Sequence, residues 1–133
     1  MTQNELRDRG IAMRRELFGE AFEQRLNEAT NQDPVMQKFR EVVLETVFGA
    51  LWSRPGLDLK TRALICVVID AATGREPELA LHLRMALRQG WSEDELVETL
   101  LHMSGYVGAP LIREAMLRTS EVFTEVRAEA AQA

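Results

Sequence analysis

Apolar positions recur along the chain with helical spacing, and the most apolar stretch lies near its middle. From Ala63 to Ala72 every residue is apolar except Asp70, a pattern typical of a helix that is buried on all sides. Asp58 suits the N-cap of this helix, and Gly74 suits the left-handed position that ends it. We therefore expect a central helix that starts after Asp58 and stops at Gly74.

The other segments also predict helices. Pro77 suits the first turn of the next helix and Gly90 its end, while Ser92 and Glu95 form a capping box for the helix after that. Further helices are expected over residues 4–18, 20–29 and 34–52, with a chain break at 105–108 and a last helix from Pro110 whose Ala/Glu tail frays. No stretch has the period of a strand. The sequence predicts an all-α fold of about six to seven helices in one domain spanning residues 1–133.

Composition limits the function classes. The formal charge of −5 lacks the basic stripe of a nucleic-acid-binding protein, which also argues against a helix-turn-helix regulator built on residues 58–90. No apolar run approaches the ~18 residues of a membrane helix, and the acidic start of the chain is unlike a signal peptide. Cys66 is the only cysteine, so no internal disulfide can form. We expect a cytoplasmic protein with a buried, unreactive thiol and no membrane partner.

Three polar features are candidates for chemistry. Asp70 interrupts the apolar helix, so it is either hydrogen-bonded to a helix terminus or an arginine, or held neutral by burial. Glu78 and His82 lie four residues apart on one helix face, either as a surface pair or as a general acid/base with its orienting carboxylate. His82 and His102 are the only histidines and match no metal-binding pattern, so we predict no metal site.

Several motifs occur in the same order as in a known enzyme family. They are W-x-R-P-G-L-D-x-K-T-R at 52–62, G-R-E at 74–76, L-H-x-R-x-A at 81–86, Y-x-G-x-P at 106–110 and G-x-x-x-R-R-x-x-x-G at 10–19. Together they resemble the γ-carboxymuconolactone decarboxylases of the alkylhydroperoxidase D-like superfamily. The resemblance implies a helical bundle that assembles as a homo-oligomer, a trimer or hexamer. It also implies a cofactor-free enzyme that removes CO2 from an unsaturated lactone acid in aromatic catabolism.

The resemblance is incomplete at particular positions. Arg75 and Glu78 stand where the redox branch of the superfamily places its C-x-x-C cysteines, so that disulfide chemistry is excluded. The decarboxylases commonly have a histidine at the position of Phe22, a glutamate at that of Ala50 and a cysteine at that of Val107. Asp70 falls where they usually have an apolar residue, which suggests that a new acid replaces a lost one. A different reaction on a related anionic ring compound therefore stays open.

The mechanism implied by the resemblance needs a proton for the enolate that loss of CO2 leaves behind. His82, held by Glu78, is the candidate proton donor. An arginine is the candidate for gripping the carboxylate of a small anionic substrate. The side chains expected to contact the substrate are Trp52, Asp70, Arg75, Arg84 and Tyr106. The competing hypothesis is a non-catalytic binding protein, which would leave His82 solvated instead of placing it at a small cavity.

Overall fold

A computed structural model describes residues 1–133 and is helical almost throughout. Its elements are α1 (Gln3–Phe18), α2 (Glu20–Thr30), α3 (Pro34–Val43), a π-helix (Leu44–Leu51), α4 (Leu59–Thr73), α5 (Glu76–Arg88), α6 (Glu93–Val107) and α7 (Ala109–Gln132). No strand is present. The predicted all-α fold class is confirmed. The chain divides into two compact units, Met1–Asp58 and Leu59–Ala133. The expectation that residues 1–133 form one domain remains a prediction.

The helix ends follow the local signals in the sequence. Gly19 ends α1 with φ 81°, and Gly74 ends α4 with φ 71°, a backbone region that side chains with a Cβ rarely adopt. Pro77 lies in the first turn of α5. Ser92 accepts a hydrogen bond from the Glu95 backbone N–H at 3.0 Å, and the Glu95 carboxylate accepts one from the Ser92 N–H at 2.9 Å. The predicted capping box is confirmed.

In the first unit, α1 packs directly against the π-helix. A Cβ added at Gly10 would lie 1.9 Å from the Leu44 carbonyl oxygen, and one added at Gly49 would lie 2.1 Å from that of Leu6. These glycines therefore bring two backbones into contact. The predicted helix over residues 34–52 is continuous but changes geometry, since the Trp52 N–H donates to the Val47 carbonyl five residues earlier at 2.9 Å.

The first unit also contains a buried charge cluster that the sequence pattern does not indicate. Glu23 is 4% exposed, and one of its carboxylate oxygens lies 3.7 Å from Arg14 Nε and 3.9 Å from an Arg40 nitrogen. The guanidinium of Arg14 also lies over the rings of Phe18 and Phe48, 5.7 and 5.4 Å from their centroids. Burial lowers the pKa of Arg14, and the charge of Glu23 partly opposes this.

In the second unit, α4 and α5 form a helical hairpin that α6 and α7 cover on part of its surface. Ala63, Val67 and Ala71 of α4 are buried, but Ile65 and Ile69 are 42% and 48% exposed. The expectation that α4 is buried on all sides is therefore wrong for the isolated chain, because the helices around it leave one apolar face open. The side chains that fill this core from α5, α6 and α7 include Leu79, Leu83, Leu96, Leu100, Ile112 and Val122.

The expected chain break within residues 105–108 is found, but only at Gly108, and the expected fraying of the C-terminal tail is wrong. α6 continues through Gly105 to Val107 and stops only at Gly108, where φ is 102°. A glycine inside a helix costs only about 1 kcal/mol, which packing of the surrounding turns readily offsets. α7 remains helical to Gln132, since its Ala/Glu tail consists of residues that favour helix. None of the helices combines the length and the apolar character that crossing a membrane requires.

Candidate active site

The polar centre of the second unit is a contact between two side chains on either side of the α4–α5 turn. Asp70 lies in the last turn of α4, and His82 lies in the middle of α5. The Nδ1 atom of His82 is in hydrogen-bond contact with Oδ2 of Asp70. The Asp70 side chain is 5% exposed and that of His82 is 20% exposed. The helical hairpin thus holds a histidine against a buried carboxylate.

The partner of His82 differs from the one that helical spacing predicts. Glu78 is exposed, and no hydrogen bond joins it to His82. A carboxylate in the first turn of a helix is stabilised by water and by the helix dipole, so it gains little from a histidine one turn away. The structure therefore gives the orienting contact to Asp70, and a role for Glu78 in the reaction stays a prediction.

The arrangement fixes how the histidine can act. An ionised carboxylate only accepts hydrogen bonds, so an ionised Asp70 would require the proton of this contact to lie on Nδ1 of His82. His82 has no second hydrogen-bond partner in the chain, so its Nε2 atom is free to exchange a proton. Asp70 has no lysine or arginine partner. The alternative that an arginine or a helix terminus satisfies Asp70 is wrong, because the histidine does so.

The charge of Asp70 also reaches the thiol one turn earlier on α4. Burial raises the pKa of Cys66 to about 11, and the negative charge of Asp70 adds to this increase. The thiol is therefore protonated at neutral pH and is a poor nucleophile. Cys66 is only partly buried, whereas the sequence predicted a buried thiol. Its low reactivity follows from its raised pKa.

The two arginines expected to hold a carboxylate have different surroundings. Arg84 donates to Glu129 at 2.7 Å and to Glu125 at 3.1 Å, both on α7. Its guanidinium is therefore already held by two carboxylates, and a substrate carboxylate would compete with them. Arg75 lies at the start of α5 and is exposed. Of the two predicted arginines, Arg75 has the more accessible guanidinium.

A shallow cleft borders the Asp70 side of the pair. Its volume is about 10 Å³, which is room for about one water molecule. It is lined by Asp70, Ala71, Gly74, Glu76, Leu79, Leu111, Glu114 and Ala115. In the isolated chain, the Asp70–His82 pair is therefore partly shielded from solvent, but it does not border a cavity large enough for a substrate. No group of three or more His, Cys, Asp or Glu side chains is arranged to hold a metal ion.

The aromatic residues predicted to line a pocket lie in different environments. Trp52 belongs to the first unit, where it is 6% exposed and stacks on Phe48 with the ring centroids 6.5 Å apart. Tyr106 belongs to the second unit, where it is 81% exposed and packs against His102 at 5.2 Å. Neither aromatic side chain lines the cleft beside Asp70, so their contact with a substrate stays a prediction.

Comparison with known proteins places this chain in a family. Residues 37–121, more than half of the chain, match the model of the carboxymuconolactone decarboxylase family. A 4-carboxymuconolactone decarboxylase from Acinetobacter baylyi is 38% identical over 88% of this chain and 86% of its own length. A nitrosuccinic acid decarboxylase from Metarhizium robertsii is 33% identical over 90% of this chain and 82% of its own length.

A third relative carries no assigned activity. It is an uncharacterised 15.0 kDa protein from Paracoccus denitrificans that is 35% identical over 62% of this chain and 63% of its own length. The family match covers both helices of the hairpin that carries Asp70 and His82, and the two decarboxylases align with nearly the whole chain. The protein is therefore a member of the carboxymuconolactone decarboxylase family.

Proposed function

We propose that this protein is a carboxy-lyase that removes CO2 from an unsaturated lactone acid of the γ-carboxymuconolactone type. The observation that carries the proposal is the contact of His82 with the buried carboxylate of Asp70 in a chain of this family. The 38% identity to a 4-carboxymuconolactone decarboxylase favours the lactone acid as substrate. The proposal places the enzyme in aromatic catabolism in the cytoplasm and gives it no cofactor.

The reaction needs little beyond positioning and one proton. The bond between the ring carbon and the carboxylate breaks, CO2 leaves, and the electron pair delocalises into the unsaturated lactone as an extended enolate. A carbon of this enolate then takes a proton from Nε2 of His82, which water later reprotonates. The exposed guanidinium of Arg75 is suited to hold a substrate carboxylate through paired hydrogen bonds.

The assembly that we propose is a homo-oligomer, a trimer or a hexamer. Two features support it: the apolar face of α4 with Ile65 and Ile69 is open in the isolated chain, and the cleft at Asp70 is far smaller than a lactone acid. A substrate site of usual size has a volume of about 300 Å³ or more. A second copy that packs beside the α4–α5 hairpin would supply both the missing cover and the missing walls.

A second candidate substrate is an open-chain nitro acid. The fungal relative named for nitrosuccinic acid aligns over 90% of this chain at 33% identity. When CO2 is lost from the carbon that bears a nitro group, the nitro group delocalises the resulting carbanion. In a lactone acid, the conjugated lactone does the same. The same histidine would protonate either carbanion, so the proton donor is expected to be shared while the carboxylate contacts differ.

The test is CO2 release from purified protein with γ-carboxymuconolactone and with nitrosuccinate, each against His82→Ala. We expect turnover of the lactone acid, and loss of most turnover in a His82→Ala variant of unchanged melting temperature and oligomer size. Full turnover by folded His82→Ala would remove this histidine from the mechanism. Absence of CO2 release from both acids at micromolar enzyme would favour a non-catalytic binding protein.

A further inference from the structure

The geometry points to a positioning role for Asp70: we propose that its carboxylate keeps the proton of His82 on Nδ1, so that Nε2 is the atom that serves the substrate. This inference rests on the proposed function, since it names the group that prepares His82 for protonating the carbanion. It also replaces Glu78 as the orienting carboxylate, because the contact observed is with Asp70.

Burial makes this carboxylate costly unless its partner compensates. The Asp70 residue is 4% exposed and lies on the side of α4 that packs into the protein. An ionised carboxylate in such a place is tolerated only with hydrogen bonds or an opposite charge. Its one side-chain partner is His82, so the stability of the ionised carboxylate and the orientation of the imidazole depend on the same contact.

Packing of the hairpin does not require the Asp70–His82 pair. The helices of the hairpin already pack through Val67 and Ala71 of α4 and Leu79 and Leu83 of α5, all at most 1% exposed. Replacing a buried polar pair by packed apolar side chains is commonly neutral or even stabilising. A role through His82 explains why an acid stands here.

The carboxylate serves both protonation states of the imidazole. When His82 is protonated, Asp70 accepts from Nδ1–H and Nε2–H faces the substrate as the acid. After Nε2 gives its proton to the carbanion carbon, Nδ1–H remains on Asp70 and Nε2 takes a new proton from water. No proton moves to Asp70 in this cycle, so its function is to fix the tautomer and the ring orientation.

The first test is a double-mutant cycle with Asp70→Asn and His82→Ala. Asparagine keeps the shape of the side chain but is neutral, and its amide can donate as well as accept. We expect Asp70→Asn to lower kcat about 100-fold with KM changed less than about twofold, a typical effect of impaired general acid catalysis. In the His82→Ala background the same change should alter kcat less than about twofold, because the carboxylate then has nothing to position.

The second test reads the tautomer directly and needs no turnover. Nitrogen-15 NMR of labelled histidine at a pH where the ring is neutral should show the proton of His82 on Nδ1 in the parent protein. Asp70→Asn should give a mixture with Nε2–H. Asp70→Ala, which retains helix propensity, serves if the asparagine variant does not fold. Glu98→Gln is the control, since it removes one negative charge from an exposed position of the same unit that lies outside the cleft.

The outcomes separate this inference from the proposed function. Loss of turnover in His82→Ala together with full turnover and an unchanged tautomer in Asp70→Asn would overturn the role of Asp70 alone. If Asp70→Asn lowers kcat by the same factor in the parent protein and in His82→Ala, Asp70 has only a structural role. Full turnover of His82→Ala would overturn the proposed mechanism, whereas the NMR result would still decide which atom carries the proton.

Discussion

Gly10 is the position where a single added carbon should damage the fold most. A Cβ there would lie 1.9 Å from the oxygen, 2.7 Å from the carbon and 3.1 Å from the Cα of Leu44. All three are backbone atoms, so no side-chain rotation can relieve the contact. A comfortable C···O distance is about 3.3 Å, so α1 and the π-helix would have to separate locally by about 1.4 Å.

The cost follows from that separation. A gap of 0.5 to 1 Å already loses roughly a quarter to a half of the dispersion energy of the contacts involved. Overpacking against a rigid neighbour costs about 3 kcal/mol, while replacing glycine by alanine inside a helix returns about 1 kcal/mol. We therefore expect Gly10→Ala to lower the free energy of unfolding by about 2 kcal/mol. The melting temperature should fall by about 8 °C.

Gly105→Ala is the matched control for this experiment. Gly105 is also inside a helix, and a Cβ there would meet no atom within 4 Å. The same substitution should therefore raise the melting temperature by about 4 °C. Circular dichroism melts of the parent and both variants measure the difference. A Gly10→Ala protein as stable as the parent would refute the close approach of the two backbones.

Four further predictions concern the buried charge cluster, the Cys66 thiol and the assembly. In urea titrations, Glu23→Ala should lower the free energy of unfolding by about 3 kcal/mol, because the buried charge of Arg14 loses its carboxylate. The control is Glu28→Ala on the same helix, where the side chain is exposed. It should change the free energy of unfolding by less than about 0.5 kcal/mol. With a pKa of about 11 in the folded protein against 9.0 for an ordinary thiol, Cys66 should react with iodoacetamide at pH 8 about 90-fold more slowly than the thiol of the unfolded chain. Because the folded pKa of Cys66 lies above its ordinary value of 9.0, its contribution to stability is complete below about pH 9 and is lost as the pH rises through about 11, as pH-dependent urea titrations would reveal. Light scattering at micromolar concentration should show no monomer, and a monodisperse monomer would contradict the proposed assembly.

Several helix boundaries were predictable because local residues determine them. Gly19, Gly74 and Pro77 act within one helical turn, so their effects can be read without knowledge of the tertiary structure. The π-helix at Leu44–Leu51 was not predictable, because no local signal in the sequence marks it; in the structure it packs closely against α1 at Gly10. Propensity alone describes this segment as ordinary helix.

The candidate site was predictable only in part. The sequence places Asp70 and His82 near the same turn, but which carboxylate meets the histidine depends on how far each helix is rotated about its axis. Packing of apolar side chains between α4 and α5 sets that rotation, and it favours Asp70 over Glu78. The partners of Arg84 lie 41 and 45 residues further along the chain, so no local pattern indicates them.

The short chain distance between Asp70 and His82 has a consequence for the order in which the protein is made. The two residues are 12 positions apart and are joined by one tight turn, so bringing them together costs little loop-closure entropy. The contact can form once α5 has emerged from the ribosome, before α6 and α7 have emerged. A cut or a circular permutation anywhere outside residues 59–88 would leave their covalent connection unchanged.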